Sequence, residues 1–249
     1  MMKLGVSMFK LLLFRGSPRS DIDEVERWNS KLPCDTLIVR YVNEFMAYEY
    51  ARGFFLNHKE YDYLVIATDD IVVTPKDITQ LQEDLDGGIP YDLIQKQERK
   101  EKYYPVLSGM MNVDEEDYED QWGNLNICTE LATKDRTARF YVWVKNNQLP
   151  IEDIFNVKFA GFGLTAIRRD IIEIPGFNFA SDGIFRGTGV EHGASLDLVF
   201  AWFCQENHIP QFCDQRINMH HLRHHGMSHV GERAREVEWN GKNIRFGDV

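Results

Sequence analysis

Positive charge is scarce in this chain. Against 39 aspartates and glutamates it sets 28 lysines and arginines, a formal net charge of −11 over 249 residues. That balance repels phosphate backbones and anionic headgroups, so no nucleic acid or anionic membrane is expected as the main partner. A small phosphate-bearing ligand stays open, because a bound cation reverses the local sign. Paired cysteines are lacking too. Cys34, Cys128, Cys204 and Cys213 contain no CxxC pair and no dense framework, which points to free thiols and a cytoplasmic protein. Long apolar runs are missing. Met8 to Phe14 (MFKLLLF) is interrupted by Lys10, is too short to span a bilayer and has no small-residue cleavage site after it. It reads as a buried first strand, and no integral membrane segment is expected. Internal repeats and low-complexity linkers are absent. So is the Gly-rich basic loop after the first strand that triphosphate-binding enzymes use, although Arg15 to Arg19 could touch phosphate.

What is present is globular: 43% apolar and 12% aromatic residues, on a chain long enough to bury a core. Strands and helices alternate through the first hundred residues. A strand near Lys3 to Ser7 or slightly beyond leads to a helix signalled by Ser20 and Asp23, with Ile22, Val25 and Trp28 on one face. Thr36 to Val39 is a short β-branched run typical of a buried parallel strand. Phe45, Tyr48, Ala51 and Phe55 recur at helical spacing, and Tyr63 to Ala67 is again a buried strand. Thr74-Pro75-Lys76-Asp77 opens a helix with a capping threonine, proline at the first helical position and a carboxylate at the third. Tyr91 to Ile94 reads as a further strand. The alternation predicts an α/β fold with a mostly parallel central sheet and helices on both faces, as one domain over residues 1–249. Residues 96–136, with their charge-dense Lys96 to Lys102 and acidic Asp114 to Asp120, read as a solvated variable insertion or a lid between halves 1–95 and 137–249.

The chemistry concentrates where an apolar strand stops. In YLVIATDDIVV, Asp69 and Asp70 emerge together, and two adjacent carboxylates must be solvated, paired or bound to a cation. Hard oxygen ligands suit Mg²⁺ or Mn²⁺, which would bridge two phosphates. In parallel α/β sheets ligands sit beyond the carboxyl ends of the strands, which is where this pair falls.

This stretch resembles the DxD region of GT-A fold glycosyltransferases of the family-2-like kind, reading TDD with Thr68 at the first acidic position. Further features follow in that family's order: Gly161-Phe162-Gly163 before an apolar strand and Arg168-Arg169-Asp170, Asp197 in a first helical turn behind a cap expected at Ser195, and His220 after RINM. The resemblance implies a single Rossmann-like GT-A domain, with 1–95 as its nucleotide-binding half and 137–249 as its acceptor and metal-completing half. It implies Mn²⁺ or Mg²⁺ held by Asp70 and His220, with Asp69, Arg52, Gly161 and Gly163 at the donor. Asp197 is then the candidate base, with Glu191 as fallback. The expected donor is a nucleotide-sugar, UDP- or GDP-linked, and the acceptor a hydroxyl on a glycan, lipid or protein, in a hexosyltransferase-type reaction. Two alternatives stand beside it: a sugar nucleotidyltransferase of related fold, and a non-catalytic zinc-binding module built from Cys204, Cys213, His220 and His224 or His225.

Overall fold

A strand buried on both faces needs apolar residues on both, and Leu11, Leu12, Leu13 and Phe14 supply four in a row with at most 2% exposure each. They begin β1, Leu11–Ser17. The computed structural model describes residues 7–17, 31–40, 42, 44–68, 71–111, 125–129, 144–177, 179, 196–221 and 236–245. The strand starts later than the Lys3 to Ser7 reading placed it, with Lys10 just before it, and the helix expected after Ser20 lies outside the described residues.

In chain order β1 is followed by β2 (Asp35–Arg40), α1 (Glu44–Asn57), β3 (Tyr63–Ile66), β4 (Ile71–Val72), α2 (Pro75–Gly87), α3 (Tyr91–Gln95), β5 (Val106–Met110) and β6 (Ile127–Cys128). After a 3-10 turn come β7 (Ile154–Val157), β8 (Phe159–Ala160), β9 (Thr165–Arg168), α4 (Arg169–Ile172), α5 (Leu196–Glu206), β10 (Gln211–Asn218), β11 (His220–His221), β12 (Glu236–Trp239) and β13 (Lys242–Ile244).

Nine strands form one sheet in the order β13-β12-β2-β1-β3-β9-β5-β10-β7. Strand alternation divides the core into two faces. Leu12, Phe14, Leu64 and Ile66 pack with Tyr48, Ala51 and Phe55 of α1 and Phe200 of α5. Leu11, Leu13, Tyr63 and Val65 pack with Ile78, Leu81 and Leu85 of α2. Helices therefore cover both faces. A third cluster, around Met110, Ile127, Phe155 and Cys213, fills the β7 end of the sheet.

The α/β expectation holds at that level, and the parallel one needs correction. The pairs β2–β1, β1–β3 and β5–β10 are parallel; the other five neighbouring pairs of the sheet are antiparallel. Because β9 runs antiparallel between β3 and β5, the five strands β2, β1, β3, β5 and β10 still point the same way. Their carboxyl ends share one edge.

Two local readings are also corrected. Tyr91 to Ile94 is helical, because only Leu93 of the run is buried, Tyr91 is 77% exposed, and Pro90 turns the chain so that Ile94 N–H donates to the Pro90 carbonyl. The sheet strand lies instead at Val106–Met110, inside the stretch read as an insertion, with all five residues buried between β9 and β10. By contrast the start of α2 is as expected: the Thr74 hydroxyl accepts from Asp77 N–H, and the Asp77 carboxylate accepts from Thr74 N–H at 2.8 Å.

Candidate functional site

β3 ends at the shared edge, and Thr68 follows it there. Ala67 N–H donates to the Phe14 carbonyl at 3.1 Å, and past it Thr68 N–H donates to the Phe162 carbonyl at 3.1 Å. Ile71 N–H donates back to the Thr68 carbonyl at 3.3 Å, joining the two segments that flank Asp69 and Asp70. Asp69 and Asp70 themselves lie outside the described residues. Buried Ala67 and Ile71 anchor both sides. Beneath them Arg15, 1% exposed, donates from its guanidinium to the Ile71 carbonyl. The guanidinium charge strengthens that hydrogen bond. The sequence signal was there in LLLFR, where a cation directly continues a fully apolar strand.

The Gly-Phe-Gly segment is the second wall. Phe162 is 3% exposed and locks the turn into the core, 5.8 Å from the Tyr48 ring, 6.0 Å from Phe179 and 5.6 Å from Phe200. The turn is tight, with Gly163 N–H donating to the Gly161 carbonyl at 2.7 Å. Gly161 has no room to spare: a Cβ there would sit 3.3 Å from Asp197 Oδ2. A Cβ on Gly163 would meet Met219 Cε at 3.1 Å and Met111 Sδ at 3.2 Å. Both glycines thus lie at the edge, and Asp197, in the first turn of α5, lies against one of them. Asp197 Oδ1 accepts from Leu198 N–H at 2.8 Å, a partial anchor at the start of the helix.

The third wall is β11. His220 pairs with Val72 and His221 with Ile71, antiparallel, so the late histidine segment runs beside the strand that follows Asp70. Met219 N–H donates to the Met110 carbonyl at 2.9 Å, tying the segment to the end of β5. Among the described residues no three His, Cys, Asp or Glu side chains gather as a metal-binding group. Asp69, Asp70 and the His220 side chain lie outside the described residues.

Other expected residues are placed elsewhere. Arg52 reaches Glu49 at 3.3 Å and the Phe177 ring at 5.9 Å. It lines a cavity of about 470 Å³ with Lys59, Ile172 and Pro175. Arg168 and Arg169 belong to the opposite edge of the sheet: Arg168 pairs with Glu101 and Asp170, and Arg169 donates to the carbonyls of Phe55, His58 and Tyr61. They close the structure there and do not shape the site. Glu191, Ser195, His224 and His225 lie outside the described residues. The two thiols of the zinc alternative are separated, Cys204 in the α1–α5 cluster and Cys213 in the β7-end cluster, and burial pushes both thiols up. All four cysteines are free.

Far from the acidic turn, buried Asp214 and partly buried Asp84 share Arg216, whose guanidinium reaches Asp214 at 2.9 Å and Asp84 at 2.7 Å. Burial first, then the neighbouring Asp214, pushes the Asp84 carboxyl up to about 7.

No protein-family model matches the chain, and no curated protein does. Among solved structures it is similar to A197 from STIV, at 16% identity over 86% of each chain with a TM-score of 0.53. At that identity the likeness concerns the fold. No helix among the described residues is long and apolar enough to cross a membrane.

Proposed function

We propose that this protein is a metal-dependent glycosyltransferase of GT-A type, moving a sugar from a nucleotide-diphosphate donor to a hydroxyl acceptor. One observation carries the reading: three segments far apart in sequence meet at the carboxyl end of β3. Thr68 is hydrogen-bonded to the Gly-Phe-Gly turn, Asp197 lies against Gly161, and the His220 strand pairs with the strand after Asp70. Five strands of one direction with helices on both faces are the frame a Rossmann-like domain needs, and such frames bind ligands at this edge.

In this reading Asp70 and His220 hold the metal and Asp69 orients the donor. When bound, the cation offsets the charge that develops on the departing nucleoside diphosphate. Asp197 takes the proton from the acceptor hydroxyl as its oxygen approaches the anomeric carbon. The Gly-Phe-Gly turn keeps that carboxylate at a fixed distance from the donor end. Arg15 holds the far side of the acidic turn through the Ile71 carbonyl.

The test is sugar transfer with Mn²⁺ by three variants. Asp70→Asn and His220→Ala are expected to lose metal-dependent turnover by orders of magnitude with circular dichroism unchanged. Asp197→Asn is expected to lose about 10²–10⁴-fold in kcat with donor binding retained. Wild-type transfer that survives the first two changes overturns the metal assignment, and full activity in Asp197→Asn overturns the base.

A further inference from the structure

Asn126 is 1% exposed, yet it has no place in the chemistry above. It makes four hydrogen bonds, all to the main chain of two segments that meet at the site. Its N–H donates to the Met111 carbonyl at 2.9 Å and its side-chain Oδ1 accepts from Met111 N–H at 2.8 Å. Its carbonyl accepts from Gly161 N–H at 2.8 Å and its Nδ2 donates to the Gly161 carbonyl at 3.2 Å. The amide thus imitates a strand edge, donating on one side and accepting on the other. It rivets the end of β5 to the turn against which Asp197 rests. No other residue type does this at the same size, since a carboxylate cannot donate and an aliphatic side chain can do neither.

We infer that Asn126 is the positioning residue of the site. It sets the Gly-Phe-Gly turn, and through it the distance of Asp197 from Thr68, which the same turn holds beyond the end of β3. The inference rests on the glycosyl-transfer reading for its kinetic consequences and on main-chain geometry for its structural ones. A misplacement of this carboxylate lowers the rate of proton removal more than donor capture, because in this reading the metal ligands Asp70 and His220 hold the donor's diphosphate.

Asn126→Asp separates positioning from general stability. It keeps the volume and the acceptor for Met111 N–H. Ionised, it loses the donor and turns a negative charge on the Gly161 carbonyl; protonated, it regains a donor. Asp197 is the titratable side chain that faces this point from α5, with Met111, Gly161, Gly163 and Met219 supplying the rest of the surroundings. The expected result is a kcat lower than wild type by up to about 10²-fold at pH 8 with donor KM unchanged. The ratio of variant to wild-type kcat then rises as pH falls and the introduced carboxyl takes up its proton. In parallel, the amide resonances of Met111 and Gly161 in the variant titrate together with that carboxyl. A kcat ratio independent of pH, or donor KM and kcat falling together, overturns the kinetic role. Wild type that transfers sugar from no donor sinks the glycosyltransferase reading instead, and the positioning of the turn is then decided by the resonances: a Gly161 amide that does not respond contradicts it.

Discussion

At the scale of single residues, Gly161 and Asp84 make opposite kinds of claim. Gly161 concerns geometry at the site. A methyl group there meets Asp197 Oδ2 at 3.3 Å and Asn126 Cβ at 3.4 Å, contacts the neighbours must relieve by a few tenths of an ångström. Gly161→Ala is therefore expected to keep the fold and lose on the order of tenfold or more in kcat. Asp84 concerns stability. Its carboxyl is held near neutrality in the folded protein, against about 3.9 in an unfolded chain. Between about pH 4 and pH 7 the unfolded chain releases this proton while the folded protein keeps it, so the stability carried by the protonated form is lost as pH rises through that window. Asp84→Asn, which cannot ionise, is expected to melt a few degrees above wild type at pH 8 and level with it near pH 4, measured by calorimetry. A gap that widens on acidification contradicts the assignment. Gly161 was named in the sequence, whereas Asp84 and Asn126 were not legible there. Asp84 is one carboxylate of a polar helix face until β10 places Asp214 beside it, and Asn126 sits in a stretch with no periodicity to mark it.

At the scale of elements, local chemistry was readable wherever it closed on itself. The Thr74 capping box spans four residues and folded as read; Thr74→Ala is expected to cost about 1 kcal/mol, visible as a lower urea midpoint with an unchanged slope. The runs at Thr36 and Tyr63 became strands because each is buried on both faces. Elements that depend on distant partners were misread. Val106–Met110 includes Ser108 and Gly109, too mixed to stand out as a strand, and is apolar enough only once β9 and β10 flank it, with Ser108 answered by the Thr165 hydroxyl at 2.9 Å. Tyr91 to Ile94 had the right residues for a strand but one buried side chain. The Asn240-Gly241 turn, with φ of 49° and 75°, was a readable hairpin signal between Glu236–Trp239 and Lys242–Ile244. Its partner, the edge of β2, could not be read.

At the scale of the molecule, short motifs far apart in the chain become neighbours in pairs. Thr68 bonds to the Gly-Phe-Gly turn, Asp197 lies against Gly161 and the His220 strand pairs with Ile71–Val72, whereas Arg52 meets Glu49 and Phe177, and Arg169 meets main chain at the opposite sheet edge. The difference is topological. Residues next to the carboxyl ends of co-directional strands are gathered by the sheet itself, while a helix position such as Arg52 depends on rotation and on which neighbours cover it. The likeness to A197 from STIV extends over most of both chains and agrees with a shared frame at the level of fold.

The most direct measurement is a thermal-shift panel of UDP-, GDP-, CDP- and dTDP-sugars, each with and without Mn²⁺, on the wild-type protein and Asp70→Asn. A ligand that binds the folded state alone raises the melting temperature, by an amount that grows with the logarithm of its concentration above Kd. The proposed site predicts a Mn²⁺-dependent rise for one nucleotide class, abolished in Asp70→Asn. No rise with any donor, or one indifferent to both Mn²⁺ and Asp70, would contradict it.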